Sequence, residues 1–443
     1  MTRESRIHSD ALLAPFGAFQ QFFKTEAAGG ILLVVCAGAA LVAANSGWAH
    51  GYHALWDTRL TLGAGDRQVS LTVHQWINDG LMAVFFLLVG LEIKREALAG
   101  ELASPRQAAL PIAAAVGGMV VPALLFVITS KPGPSLHGWA IPMATDIAFA
   151  LGALALAAPR APGGLKVFLA ALAIVDDIGA VLVIALFYTN EIVWHGVVMA
   201  GVCLAVLAAL NLLRVRALMP YLLVGVVLWF YVHESGVHAT IAGVLLALTI
   251  PVRTHINAAE YAGRTRRLLD EFERTETGDR RVLTSKGQQE AIFAVGKANL
   301  EALAPLLRLE HALHGLSAFA VMPLFAFSNA GVSLSGMTGD RVTLAVILGL
   351  LVGKPLGIMG AAFAAVRLRA AALPERVNWT MLFGCAWFGG IGFTMSLFIA
   401  MLAFEGSPLL DSAKVGILLA SACAAVIGGI VIRQGLPASG GGH

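Results

Sequence analysis

Residues 169–183 read Leu169-Ala-Ala-Leu-Ala-Ile-Val-Asp-Asp-Ile-Gly-Ala-Val-Leu-Val, two adjacent carboxylates inside an otherwise uncharged, apolar run. The run extends over 164–188, long enough for an α-helix to cross a bilayer. A charged residue at the centre of such a helix costs about 2.5–3.5 kcal/mol on insertion scales. A chain that only had to reside in a membrane would not carry Asp176 and Asp177. The stretch therefore reads as a membrane helix whose carboxylates have work to do.

The rest of the sequence agrees with a membrane setting. Of 443 residues, 58% are hydrophobic and 13% charged, and the mean hydropathy is +0.79. Soluble domains carry roughly 25% charged residues. A transmembrane β-barrel would alternate apolar and polar residues in segments of about ten, whereas the apolar runs here are continuous. Twelve spans are expected, at 27–46, 76–94, 107–129, 138–157, 164–188, 194–213, 217–232, 236–251, 310–332, 341–366, 378–404 and 411–433. The fold class is an all-α polytopic membrane protein, one integral membrane domain over 1–443. Two small additions are expected. Leu12, Leu13, Phe16, Phe19, Phe22 and Phe23 suggest an interfacial amphipathic helix. Trp56–Leu71, turning at Gly63-Ala-Gly-Asp66, reads as a small extracytoplasmic β-hairpin.

With the N-terminus inside and the spans alternating, 24 of the 30 Lys and Arg fall on the cytoplasmic side. Five fall outside, and Lys354 lies within a span. That bias places both termini in the cytoplasm. Ten of the 24 sit in a long mixed-charge loop, 253–309, which reads as solvated, partly helical and without chemistry of its own. Cys36, Cys203, Cys385 and Cys423 lie in apolar runs and read as small buried side chains. No basic tract suits nucleic acid.

Three further sites place charge or a break inside a span. Asp146 follows Pro142 and Thr145 in Ile141-Pro-Met-Ala-Thr-Asp, Lys354 sits in Val352-Gly-Lys-Pro-Leu-Gly, and glycines cluster in Gly389-Gly-Ile-Gly-Phe-Thr. Proline and clustered glycine interrupt a helix and leave backbone groups unpaired. In lipid this is tolerated only where the segment lines a cavity or is packed in protein. Helix ends carry partial charge, so Asp146 suits the positive ends and Lys354 the negative ones. A purely structural ion pair is the competing account of Lys354. On one helix Asp176 and Asp177 point about 100° apart. Burial and like-charge repulsion disfavour ionising both. Such a pair holds protons, or holds a hard cation with help from Thr145, carbonyls and water. That competition is by itself an exchange mechanism, and two carboxylates permit two protons per cation.

Taken together, Gly90-Leu-Glu-Ile-Lys-Arg-Glu, Ala144-Thr-Asp-Ile-Ala-Phe-Ala-Leu-Gly, Leu172-Ala-Ile-Val-Asp-Asp-Ile-Gly-Ala, Gly236-Val-His-Ala-Thr, Pro323-Leu-Phe-Ala-Phe-Ser-Asn-Ala-Gly-Val, Gly353-Lys-Pro-Leu-Gly and Gly392-Phe-Thr-Met-Ser-Leu-Phe-Ile-Ala resemble the NhaA Na⁺/H⁺ antiporters of bacteria, in that family's order and over nearly the whole chain. The resemblance implies twelve helices, two unwound where they cross, in the bacterial inner membrane. It implies a pH-regulated secondary transporter serving Na⁺ and pH homeostasis, with Na⁺ or Li⁺ leaving as protons enter, no cofactor, and a homodimer joined through the hairpin. Paired interruptions in the third to fifth and tenth to twelfth spans point to an inverted repeat, by a rule drawn in part from this same family. By motif, Asp176 and Asp177 would bind Na⁺ or protons, Thr145 and Asp146 would sit at the crossing, and Lys354 would pair with Asp176 or balance helix ends. Glu92, Arg95, Glu96, Glu310, His311 and His314 would form a pH-sensing cytoplasmic funnel. His238 also matches a family position, and Asp79 would line the outer funnel. The loop 253–309 is longer than in the best-known members.

Other classes fit less well. An intramembrane aspartyl protease needs its two aspartates on separate helices, and Gly390-Ile-Gly392 is followed by Phe393. Gly349-Leu-Leu-Val-Gly-Lys-Pro is one residue short of a phosphate-binding loop and has Pro355 where Ser or Thr is required, so no nucleotide is expected. Gly349, Gly353 and Gly357 instead form a stripe for close helix packing. A channel has no need of a proton-competing binding site.

Overall fold

The structure, a computed structural model, describes residues 28–64, 67–189, 192–254, 256–274, 285–333 and 340–436, with side chains outside 62–69. The aromatic segment 12–23 lies outside the described residues. Among the described residues, seven helices are long and apolar enough to cross a membrane: Val73–Ala99, Pro105–Thr129, Gly163–Phe187, Trp194–Leu212, Pro305–Asn329, Arg341–Arg367 and Leu409–Gly435. Three bent pairs raise the count to ten, namely Ala28–Ala44 with Ala49–Asp57 (111°), Pro134–Met143 with Ile147–Ala157 (46°), and Trp379–Gly389 with Phe393–Phe404 (41°). Leu218–Glu234 and Ile241–Thr249 are shorter apolar helices. Each expected span falls on one of these elements, although the ninth starts at Pro305 rather than 310.

Large apolar side chains such as Val198, Val202, Leu223 and Val226 are exposed on the outer faces. In water such a surface would aggregate; in lipid it is the required one. Of the cysteines, Cys203 and Cys385 are buried as expected, Cys36 is partly buried and Cys423 is exposed. Cys423 sits in the apolar Leu409–Gly435, on a helix face turned outward. An apolar run in a membrane protein does not tell inside from lipid-facing.

Two buried apolar clusters organise the interior. The larger joins the broken pairs to the long helices Pro105–Thr129, Gly163–Phe187, Arg341–Arg367 and Leu409–Gly435. The smaller joins Trp194–Leu212, Leu218–Glu234 and Ile241–Thr249 to one side of Val73–Ala99. Pro105–Thr129 and Arg341–Arg367 meet with almost no space between backbones. A Cβ at Gly357 would lie 2.1 Å from the carbonyl oxygen of Gly117, and one at Gly353 would lie 2.6 Å from Pro122 Cα. A Cβ at Gly349 would lie 2.6 Å from Pro142. The glycine stripe is therefore a packing surface, and it carries Lys354 into the interior.

Two of the proline-containing long spans share a local device. In Arg341–Arg367 the turn Gly349–Gly353 widens to π geometry just before Pro355, and in Pro305–Asn329 the turn Ser317–Val321 does so before Pro323. A proline ring clashes with the carbonyl four residues back, and widening the turn makes room. Trp76–Leu81, which holds Asp79, is also π-helical without a proline.

Outside the apolar bundle, Arg59–Ala64 and Arg67–Thr72 pair antiparallel, with Arg59 opposite Thr72; the tip, 65–66, lies outside the described residues. The loop 253–309 is more ordered than its charge pattern suggests. It contains two amphipathic helices, Ala258–Arg274 and Lys286–Ala302, packed antiparallel. Tyr261 Oη donates to Asn299 Oδ1 at 2.7 Å, and Arg264 pairs with Glu301 at 2.6 Å.

Gly357→Leu should force the two helices apart and destabilise the protein by roughly 1–3 kcal/mol, read as a lowered melting temperature in detergent. Gly201→Ala, where a Cβ meets open space, should leave the melting temperature within a degree or two of wild type, about 0.5 kcal/mol or less.

Candidate ion site at the crossing of two broken helices

Two of the bent pairs, Pro134–Met143 with Ile147–Ala157 and Trp379–Gly389 with Phe393–Phe404, cross at their breaks, and hydrogen bonds run from one to the other. The Asp146 N–H donates to Ile391 O at 2.7 Å. Asp146 Oδ1 accepts from Phe149 N–H at 2.9 Å and so caps Ile147–Ala157. Asp146 Oδ2 accepts from the Thr394 N–H at 3.1 Å and from the Thr394 hydroxyl. One carboxylate thus stands at the positive ends of both second half-helices, where anionic charge is stabilising. The Ser396 hydroxyl donates to Ile141 O at 2.7 Å, tying the breaks together again.

The negative ends face donors. The Thr145 hydroxyl is 2.8 Å from Gly389 O and 2.6 Å from Asp176 Oδ2, one proton between two acceptors. The Lys354 ammonium donates to Met143 O, at the end of the first half-helix, and to Asp176 Oδ2. Lys354 is 0% exposed, Asp176 and Asp177 each 1%. Thr145, Asp146, Asp176, Asp177 and Lys354 are thus all buried at one place.

Asp176 and Asp177 differ in how they are held. Asp176 Oδ2 has Lys354 and Thr145, while Asp176 Oδ1 and Asp177 Oδ1 are buried with no hydrogen-bond partner among the described residues. A buried polar atom left so costs roughly 1–3 kcal/mol, more when charged. A proton or a cation would remove that cost at either oxygen.

Two cavities approach from opposite ends. One of about 670 Å³ is lined by Glu92, Arg95, Glu96, Lys166 and His314 and reaches Ile174, one turn from Asp177 on the same helix. Arg95 lies 3.1 Å from Glu96 and 3.4 Å from Glu310. His311 is exposed and does not line this cavity. The other, about 420 Å³, is lined by His74, Asp79, His233, His238, Phe398 and Glu405. There His238 Nε2 is 3.8 Å from Asp79, and its Nδ1 is 2.9 Å from Thr240 Oγ1. Neither aspartate of the pair lines either cavity.

The family described as Na⁺/H⁺ antiporter 1 matches residues 20–432. The chain is 50% identical to the Na⁺/H⁺ antiporter NhaA of Oleidesulfovibrio alaskensis, over 96% of this chain and 94% of that one. It is 46% identical to the NhaA of Helicobacter pylori, over 93% and 94%. The chain belongs to the NhaA family of Na⁺/H⁺ antiporters. NhaA proteins are multi-pass membrane transporters rather than enzymes, as the sequence led one to expect.

Sequence reasoning left several polar groups of this NhaA chain unassigned. Thr394 and Ser396 complete the crossing; the signal was the Gly-rich break Gly389–Gly392 immediately ahead of them. Asn329, fully buried, donates to Asn78 Oδ1 at 3.0 Å and meets His74 Nε2 at 2.9 Å. Ser328-Asn329 within an apolar span was the signal for that network.

Lys354→Gln and Asp176→Asn should each lower the melting temperature, because each leaves a buried partner unmatched. Combined, they should cost less than the sum, by roughly 0.5–3 kcal/mol. Additive losses would mean that the two groups do not interact.

Proposed function

We propose that this chain is an electrogenic antiporter that exports Na⁺ or Li⁺ in exchange for protons, by competition at Asp176 and Asp177. The observation that carries this reading is that the consecutive Asp176 and Asp177 each keep one buried carboxylate oxygen without a hydrogen-bond partner among the described residues. Asp177 takes a proton or gives it up to admit the cation. Asp176, the Thr145 hydroxyl and half-helix carbonyls supply further oxygens. Lys354 holds Asp176 when the cation is absent, and two carboxylates allow two protons per cation. The ions are substrates, and the chain needs no cofactor.

The bundle is an inverted repeat of twelve crossings. Pro105–Phe187 and Arg341–Gly435 support this, since each runs long helix, bent pair, long helix. Both termini face the cytoplasm of the bacterial inner membrane, which puts the cavity of Glu92 and His314 inside and that of Asp79 and His238 outside. Glu92, Arg95, Glu96, Glu310, His311 and His314 set the pH response, imidazole being the side chain that titrates in the physiological range. Two copies pair through the open edges of the β-hairpin.

In everted vesicles, Na⁺ and Li⁺ but not K⁺ should discharge a pH gradient, and Asp177→Asn should abolish the response. A wild-type rate in Asp177→Asn would refute the carboxylate mechanism. Glu310→Gln and His314→Ala should move the pH profile of Na⁺-driven proton flux while leaving its maximum within about threefold of wild type; an unmoved profile in both would remove these groups from pH sensing.

A further inference from the structure

The helix Lys286–Ala302 has three faces. Ala291 and Ala298 are buried toward Ala258–Arg274. Ile292, Phe293, Leu300 and Leu303 are exposed, Phe293 to 78%. At 100° per residue, positions 293 and 300 nearly coincide, and 292 and 303 lie within about 100° to one side of them. Lys286, Glu290 and Lys297 fall on the other side. An exposed apolar stripe with a lysine edge is the pattern of a helix lying in a membrane interface.

We propose that this stripe rests in the headgroup–acyl boundary of the bilayer, so that the two-helix hairpin lies along the membrane surface. Its base is fixed at the boundary. Leu306 N–H donates to Pro251 O at 3.2 Å, and Ile256 N–H to Glu301 O at 3.4 Å, which joins the hairpin to the ends of two apolar helices. From Leu303 the chain passes through Ala304 directly into the span Pro305–Asn329, whose exposed Leu316 and Phe319 lie on an outer, lipid-facing side further along. The apolar stripe therefore ends two residues from the start of a membrane span. Phe293 lies ten residues earlier, about 15 Å along the helix. Standing upright, the hairpin would lift Phe293 past an interfacial layer roughly 5–10 Å deep. Lying flat keeps Phe293, Leu300 and Leu303 at one depth and lets the stems of Lys286 and Lys297 reach anionic headgroups. This placement does not depend on which ions are transported.

The test uses the full chain in vesicles of zwitterionic and anionic phospholipid, with or without bromine high on the acyl chains. Wild-type tryptophan emission is subtracted from that of Phe293→Trp, Leu300→Trp and Glu290→Trp. The added emission of the first two should fall about twofold or more in brominated lipid, and that of Glu290→Trp much less. Unquenched, red-shifted emission from Phe293→Trp and Leu300→Trp would put the stripe in water and overturn the proposal. Unquenched, blue-shifted emission from them would mean that protein, such as a second copy, covers it, and would overturn the proposal equally.

Discussion

A helix that stops inside a bilayer leaves N–H and C=O groups where no water can take them. This chain stops two helices at mid-span and brings the four ends to one point. Everything at the site follows from satisfying those ends. Asp146 serves both positive ends, Lys354 and Thr145 serve the negative ones, and backbone bonds from Asp146 to Ile391 lock the crossing. The close contact of Gly117 with Gly357 belongs to the same solution. Without it the lysine helix could not come near enough for its ammonium to reach both Met143 and Asp176.

Buried carboxylates in this structure divide into two kinds. Asp146 has donors on both oxygens, and its charge is spent on holding the breaks together. Among the described residues, Asp176 and Asp177 each keep one buried oxygen without a donor. The first kind is structural in any protonation state that preserves those bonds. The second is high in energy as it stands, and binding relieves it. A transport site must be of the second kind, because a fully satisfied carboxylate has no reason to exchange its partner.

Much of this was legible in the residues. Charges in apolar runs gave away Asp146, Asp176, Asp177 and Lys354, since insertion costs make such residues rare. Proline and glycine clusters marked the breaks. The partners at the crossing were harder, because Met143, Gly389 and Ile391 contribute backbone carbonyls and Thr394 a common side chain. The 253–309 loop reads as partly helical, but the packing of its two helices was harder to see. Its charges are so evenly mixed that only the spacing of apolar residues shows two packed helices. His311 and His314, three apart, looked equivalent, yet the helix turns only His314 toward the cavity.

An exchanger, unlike a pore, must never open its site to both sides at once. Phe85 lines the cavity of Glu92 and packs on Phe86 at 5.4 Å between ring centres, and Phe86 meets Phe398 at 5.5 Å. Phe398 lines the opposite cavity and also contacts the ring of His238 at 5.3 Å. A chain of edge-on and tilted aromatic contacts therefore spans the gap between the two cavities, neither of which Asp176 or Asp177 lines. Phe398 sits on the helix that begins at Thr394, whose N–H binds Asp146. Any shift of that half-helix moves those contacts and the crossing together. The aromatic contacts between the cavities and the hydrogen bonds that hold the crossing are thus carried by one half-helix.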